Sequence, residues 1–393
     1  MTQRPDNIPE ESIPHGALDR IGERTGLPAE DPSGRVLIYD DLAVRRTWQS
    51  ARLDPLELIR LRRAFWKKFL SADEVRSRWP DTAGWDWHPL ALVARQDSQQ
   101  DGASKLLFQT RSNDRLETVI LRPKTGRTTV CISSQVGCAA ACRFCATGQM
   151  ARVRQLTSAE ILDQIVQAGQ WIVREDRLPR NLVFMGMGEP FHNTAELFPA
   201  LERLLSPADF AWPASRILIS TVGIPEGMRQ CAQQFPKIRQ AVSLHSCDPD
   251  TRRDLMPIAK RHSLTELHAA IADVNRITGQ PVMIEYLLLN GVNDALLEAD
   301  RLRDWVQGLD VHLNLIPYNP IATAPHLTGS PEPVRQQFAA RLKQAGLKTT
   351  IRYSLGQDIA AACGQLVQQN ERKKPILSRT VAAPEGDRHE HVD

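Results

Sequence analysis

No apolar run in this 393-residue chain approaches the about 20 residues of a bilayer-crossing helix, and no secretory pattern opens it, so it reads as cytoplasmic with no membrane partner. Charge of one sign is also missing. Lys and Arg number 49 against 46 Asp and Glu, and the resulting +3 is too small to establish a nucleic-acid partner, so basic residues must be judged by where they cluster. Cysteine is sparse and odd in number, seven in all, which disfavours an oxidised framework and suits reduced thiols kept for a metal or for catalysis. There is no internal repeat and no low-complexity array. What remains, 42% hydrophobic and 24% charged, is ordinary for a globular chain long enough to bury a substantial core, as two domains or as one large α/β unit with an appendage.

Taken in order, residues 1–35 are rich in Pro, Gly, Asp and Glu without periodicity and read as a flexible lead-in. Residues 36–104 read as a small helical accessory domain. In it, Asp54 to Leu70 predicts a basic amphipathic helix, with Leu58, Leu61, Phe65 and Phe69 on one side and Arg60, Arg62, Arg63, Lys67 and Lys68 over much of the rest. That basic face fits either solvent or an RNA backbone. Trp79, Trp85 and Trp87 fit a small core better than a base-stacking platform. The main domain is expected over 105–370, entered by a strand pair at Lys105–Phe108 and Glu117–Leu121, and residues 371–393 read as a disordered tail.

Beyond Val130, strands alternate with helices, which argues for parallel strands and crossover helices. The strands are Thr129–Ser133, Leu182–Met185, Ile217–Thr221, Ala241–His245, Met283–Leu289 and His312–Pro317. A capping box, Thr157 with Glu160, opens the first helix, and others are expected near Ala195–Leu205, Leu264–Ile277, Leu296–Val306 and Pro333–Ala345. Six such units predict an α/β fold, a partial (β/α)6 TIM-like barrel, whose chemistry belongs at the carboxyl ends of the strands.

At that rim, after the first strand, stands Cys138-Ala-Ala-Ala-Cys142-Arg-Phe-Cys145. Three closely spaced thiolates suit an iron–sulfur cluster, and three rather than four leave one iron open for chemistry. A structural zinc site would want four closed ligands, and neither a second cysteine pair nor a nearby histidine completes one. Met185-Gly-Met-Gly-Glu-Pro190 ends the second strand; Phe191 at the third glycine position makes it a poor dinucleotide fingerprint, whereas Glu189 beside close-approach glycines could accept from a ligand amine. Ser220 and Thr221, Ser243 to Ser246, and Asn319 continue the polar rim. Each alone could cap a helix; together they favour a binding site. Lone cysteines are ordinarily small buried hydrophobes, the reading kept for Cys231 and Cys247.

These motifs, with Cys131-Ile-Ser-Ser-Gln-Val-Gly-Cys138, Ile219-Ser-Thr221, Asn314-Leu-Ile-Pro317 and Asp358-Ile through Cys363-Gly-Gln-Leu366, resemble the radical S-adenosylmethionine RNA methyltransferases, in particular the adenine carbon-2 (RlmN) and carbon-8 (Cfr) enzymes, over about Glu117 to Leu366. The resemblance implies one [4Fe–4S] cluster on Cys138, Cys142 and Cys145, and S-adenosylmethionine contacts at Gly188, Glu189, Ser220, Ser243, Leu244, His245 and Asn319. It implies two S-adenosylmethionine molecules per turnover: one methylates Cys363 by displacement, and the other, cleaved by one-electron reduction, supplies the radical that takes hydrogen from the S-methylcysteine. The methylene radical then adds to adenine, whose amidine carbons are too electron-poor for simple displacement. Cys131 frees the product through a transient disulfide with Cys363, and Glu117 is the proton acceptor. Expected partners are ribosomal RNA, with transfer RNA as a second candidate, and a one-electron reductant such as a flavodoxin system, the chain acting as a monomer.

This sequence departs from the family pattern at Ala151-Arg152, where a Gly-Phe pair is usual, at Tyr353-Ser-Leu355, where a basic run is usual, and by one extra residue between Glu117 and Cys131. Ser243-Leu-His-Ser246, Ile224 and Tyr318 lean toward the carbon-8 branch, and Pro317 and Val136 toward the carbon-2 branch. Carbon 2 is the favoured outcome. The competing readings are a carbon-8 enzyme acting on 23S ribosomal RNA, a radical enzyme acting on another substrate, and a non-catalytic RNA-binding module with structural zinc.

Overall fold

The computed structural model describes residues 35–366. The expected lead-in and tail therefore lie, apart from Arg35, outside the described residues. Three helices come first: α1 Asp41–Ser50, α2 Pro55–Arg62 and α3 Ala72–Arg78. Strands β1 Leu90–Asp97, β2 Ala103–Thr110 and β3 Arg115–Leu121 follow, then β4 Thr129–Cys131 and a ribbon of β5 Gln135–Val136 with β6 Arg154–Gln155. From there helix and strand alternate: α4 Ser158–Val173, β7 Asn181–Phe184, α5 Thr194–Leu205, β8 Ile217–Thr221, α6 Pro225–Gln234 and β9 Arg239–Ser243. The series closes with α7 Pro249–Leu255, α8 Leu264–Thr278, β10 Val282–Leu288, α9 Leu296–Trp305, β11 Val311–Pro317, α10 Glu332–Gln344 and β12 Thr349–Ile351.

One ten-stranded sheet runs β1-β2-β3-β4-β7-β8-β9-β10-β11-β12. From β4 to β12 every pairing is parallel, and β1 to β4 form an antiparallel extension. All six expected strands lie in the parallel part in chain order, as a partial barrel requires. Helices pack against it, so most of its strands are buried runs, β8 alone among β7 to β11 alternating buried with half-buried positions. α4 starts at the predicted capping box, with both Thr157 and Glu160 bonds made.

The N-terminal region differs from expectation in two ways. The helix predicted over Asp54–Leu70 stops being α-helical at Arg62 and continues as a π turn over Arg63–Lys67. The wider turn lets adjacent Phe65 and Trp66 both face inward, which an α-helical register would separate. Arg62 is accordingly buried and ion-paired with Asp41, so it belongs to the packing and not to a basic outer face. Arg60, Arg63, Lys67 and Lys68 stay exposed. Second, β1 lies in the stretch assigned to the accessory domain, yet pairs with β2, so the sheet begins before residue 105.

One core runs through both regions. Trp85 and Trp87 are buried in it, while Trp79 is half-buried and donates to Glu57. Trp66 stacks on Phe210, and Phe69 fills the notch at Gly169 of α4, where a Cβ would fall 2.3 Å from its ring. Asp163 of α4, fully buried, accepts from Tyr39 Oη at 3.0 Å and Leu90 N at 3.1 Å and meets His88 Nδ1 at 2.7 Å. After β12 the chain forms a strap, residues 352–366, that crosses from that edge to the antiparallel extension: Gly356 N donates to Asp101 and Ser98 Oγ donates to Asp358.

Candidate active site

The loop after β4 carries Cys138, Cys142 and Cys145 into one cavity at the carboxyl ends of the parallel strands. It is docked at both ends, Arg143 N donating to Leu255 O at 2.9 Å and Ala146 N to Gly364 O of the strap at 2.7 Å. Burial, and then the neighbouring Cys145, push the Cys138 thiol up to about 12 and the Cys142 thiol well above its ordinary value. Deprotonation here therefore needs a bound cation, as thiolate ligation supplies. Arg252, buried, donates to Ser243 O at 3.0 Å and Val222 O at 3.0 Å and adds positive charge behind Cys142. Cys138, Cys142 and Cys145 bring three thiols to the cavity where a structural zinc site wants four closed ligands. Three thiols facing a shared cavity are the donor set of an iron–sulfur cluster.

Around the same cavity stand Gly188, Glu189, Ser220, Ser243 and His245. Gly188 has φ +97°, and a Cβ on it would lie 2.5 Å from Gln135 Cβ. Gly188→Ala is expected to cost roughly 1–3 kcal/mol through backbone strain alone; a thermal midpoint equal to wild type would refute this. Glu189 accepts from Phe191 N at 3.0 Å, Thr221 Oγ1 at 2.7 Å and Val222 N at 2.7 Å. Burial nonetheless raises it to about 7, against the pull of those donors. An amine brought beside it would favour the carboxylate. His245, at φ +60°, accepts from Leu287 N through Nδ1 at 3.0 Å, and burial lowers it to about 3, so it is a neutral imidazole with its proton on Nε2. Phe144 packs edge-on against its ring.

A second cavity adjoins the first, and Met185 and Cys363 line both. Cys131 lines the second, with Arg352. Burial, then the charge of Cys363, push Cys131 up to about 12, and burial also raises Cys363, with Arg352 opposing in both cases. All seven cysteines are free thiols.

Three expected site residues do not line either cavity. Leu244 is fully buried in the core, its N–H donating to Glu285 O at 3.0 Å. Asn319 spends its side chain on the strap: Nδ2 donates to Cys363 O at 3.0 Å and Ser354 Oγ at 3.1 Å, and Oδ1 accepts from Gln357 at 2.9 Å. Glu117 is buried beside Lys105, Oε1 to Nζ 3.1 Å.

Four charged residues escaped sequence reasoning: Lys105, Arg252, Glu285 and Arg352. Glu285 lines the first cavity, with Oε2 accepting from Ser220 Oγ at 2.9 Å and Oε1 lacking a hydrogen-bond partner 4.0 Å from Arg352. A carboxylate inside the apolar run Val282–Leu288 was the available signal, since buried charge without a purpose is costly. Arg352 had no such mark, because the three-residue β12 before it is too short for periodicity to reveal.

An open parallel sheet with a three-thiol loop at its carboxyl rim defines the radical S-adenosylmethionine class of enzyme. Residues 132–302 match the family described as the Radical SAM superfamily. A probable RNA methyltransferase of Rhodopirellula baltica is 51% identical over 338 residues, covering 86% of this chain and 89% of that protein. A probable dual-specificity RNA methyltransferase RlmN of Thermus thermophilus is 42% identical, covering 72% of this chain and 79% of the other. A crystal structure of a radical SAM methyltransferase from Sphaerobacter thermophilus, 33% identical, covers 84% of this chain and 99% of its own with a TM-score of 0.79. The chain belongs to the RlmN/Cfr family of radical S-adenosylmethionine RNA methyltransferases. Membership implies an iron–sulfur cluster, S-adenosylmethionine and an RNA substrate.

Proposed function

We propose that this enzyme methylates carbon 2 of an adenine in ribosomal RNA, with transfer RNA as a second substrate, through an S-methylated Cys363. The observation that carries the proposal is the position of Cys363, which faces both the cysteine-lined cavity and the one that holds Cys131. Cys138, Cys142 and Cys145 are the residues that would hold one [4Fe–4S] cluster. Gly188, Glu189, Ser220, Ser243 and His245 would hold S-adenosylmethionine, with Leu244 and Asn319 acting through backbone and strap. When bound, cluster and S-adenosylmethionine supply a transferable methyl group and, from a second molecule, a hydrogen-abstracting radical.

The protein's part follows from its thiols. Cys363 sulfur takes the methyl group; that methyl loses a hydrogen atom and its carbon bonds to the adenine. Glu117 accepts the proton displaced from the ring, and the one electron left on the adduct would return to the cluster that Cys138, Cys142 and Cys145 would hold. Cys131 then attacks Cys363 sulfur: the sulfur–sulfur bond forms as the carbon–sulfur bond breaks, the electron pair leaves with the methyl carbon, and that carbon takes up a proton. Arg352, facing both thiols, favours their thiolate forms. The protein acts in the cytoplasm as a monomer, a flavodoxin-type reductant feeds it electrons, and exposed Arg60, Arg63, Lys67 and Lys68 of the N-terminal layer meet the RNA backbone. No helix among the described residues is long and apolar enough to cross a membrane.

Nucleoside analysis of RNA from cells that lack endogenous adenine carbon methylation and express this chain is expected to yield 2-methyladenosine. 8-Methyladenosine alone would move the enzyme to the carbon-8 branch. Neither, from an iron-loaded protein, would sink the proposal.

A further inference from the structure

Lys105 and Glu117 lie on neighbouring antiparallel strands, in a patch that also contains Cys131. In the β2–β3–β4 register Lys105 pairs with Val119, and Val119 with Cys131, so the three form one cross-strand row on one face of the sheet. Glu117, two residues before Val119, shares that face. Both members of the Lys105–Glu117 pair are buried, 4% and 1% exposed, and Nζ stands 3.1 Å from Oε1. The same ammonium donates to Ala360 O at 3.4 Å, three residues ahead of Cys363 on the strap. Ala360 has φ +49°, a conformation a non-glycine residue keeps only where its surroundings impose it.

A buried carboxyl without a nearby cation is driven to its neutral form and can accept no proton. Opposite charge at ion-pair distance reverses this. We infer that Lys105 is a positioning residue of the methylation reaction: its ammonium holds Glu117 as the carboxylate that accepts the adenine proton, and ties it to the turn that presents Cys363. The inference rests on the reading of Glu117 as proton acceptor. Titratable and charged groups of this inner region include Cys131 on β4, Glu285 on β10, Arg352 after β12 and Cys363 on the strap. All are left in place by the tests below.

The test compares Lys105→Met, Lys105→Arg, Glu117→Gln and the double variant Lys105→Met/Glu117→Gln. Thermal unfolding near pH 8 needs neither cluster nor RNA. Lys105→Met is expected to melt below the double variant, because removing the second charge relieves the buried carboxylate that the first change deprived of its ammonium at 3.1 Å. Melting shifts that simply add would overturn the pairing, and this comparison stands even if Lys105→Met folds poorly alone. In the reconstituted enzyme, Lys105→Met is expected to lose about a hundredfold or more in RNA methylation while peptide mass spectrometry still finds Cys363 methylated. Its rate should keep rising with pH where wild type is already flat, since loss of the cation raises the pH at which Glu117 ionises; Lys105→Arg should restore most of the rate and the wild-type profile. A lowered rate with an unshifted profile would mean a merely structural role and overturn the inference. If Glu117→Gln itself methylates RNA at the wild-type rate, it is the proton-acceptor reading that fails, a result distinct from an inactive Glu117→Gln beside an unshifted Lys105→Met.

Discussion

Cys363→Ala is expected to abolish RNA methylation, by about 10⁴-fold or more given what loss of a covalent nucleophile costs, while iron content and the absorbance of the reconstituted protein stay at wild-type level. The thiol stands in the wall between the two cavities. The backbone contacts of the strap survive the change: Cys363 O still accepts from Asn319, and Gly364 O from Ala146 N. A folded, iron-loaded and methylation-dead protein is therefore the signature of a lost methyl carrier. Transfer directly from S-adenosylmethionine to the base would instead leave the variant active. Nucleoside mass spectrometry of RNA treated with the variant decides between them, and retention of even a few per cent of wild-type activity counts against Cys363 as carrier.

The sequence made some parts of this molecule legible and not others, for physical reasons. The parallel strands carry short, largely apolar runs set between helical segments, so all six of the expected ones were found within one or two residues of their ends. The capping box at Thr157 marked the start of α4 because it is a local hydrogen-bond pattern needing nothing from the rest of the fold. The three-thiol loop and the glycines before Glu189 were visible for a similar reason: close approach and short spacing are written along the chain. β12, a three-residue edge strand of Thr, Thr and Ile, has no period to read. The π turn at Arg63 accompanies the inward packing of Phe65 on Trp87 and of Trp66 on Phe210, contacts made outside the helix that no local rule anticipates. Lys105 and Arg352 were missed because a basic residue is ordinarily a solvated one. Only the fold shows that Lys105 is buried against a carboxylate and that Arg352, half-buried, faces two thiols.

Cys131→Ala is expected to separate bond formation from release. Cys131 forms no disulfide in the resting protein, and burial followed by the charge of Cys363 keeps it a thiol far above its ordinary titration range, so it does not compete with Cys363 for the first methyl group. Removing it deletes a small side chain from a partly open cavity wall, a change that costs little in folding. Cys363 should therefore still be methylated and still join the adenine. What is missing is the sulfur that attacks Cys363 and lets the methylated base depart, so turnover should stop at no more than one equivalent with RNA covalently attached. The adduct should survive a denaturing gel, collapse to a mononucleotide-bearing Cys363 peptide on nuclease and protease digestion, and be absent from the Cys131→Ala/Cys363→Ala protein. Multiple turnover by Cys131→Ala without an adduct would show that release needs no second thiol. Because Cys131 attacks as a thiolate and burial raises its ionisation to about 12, release should also speed up with rising pH in the wild-type enzyme, and Arg352, the cation that favours its thiolate, is what keeps that ionisation from lying higher still.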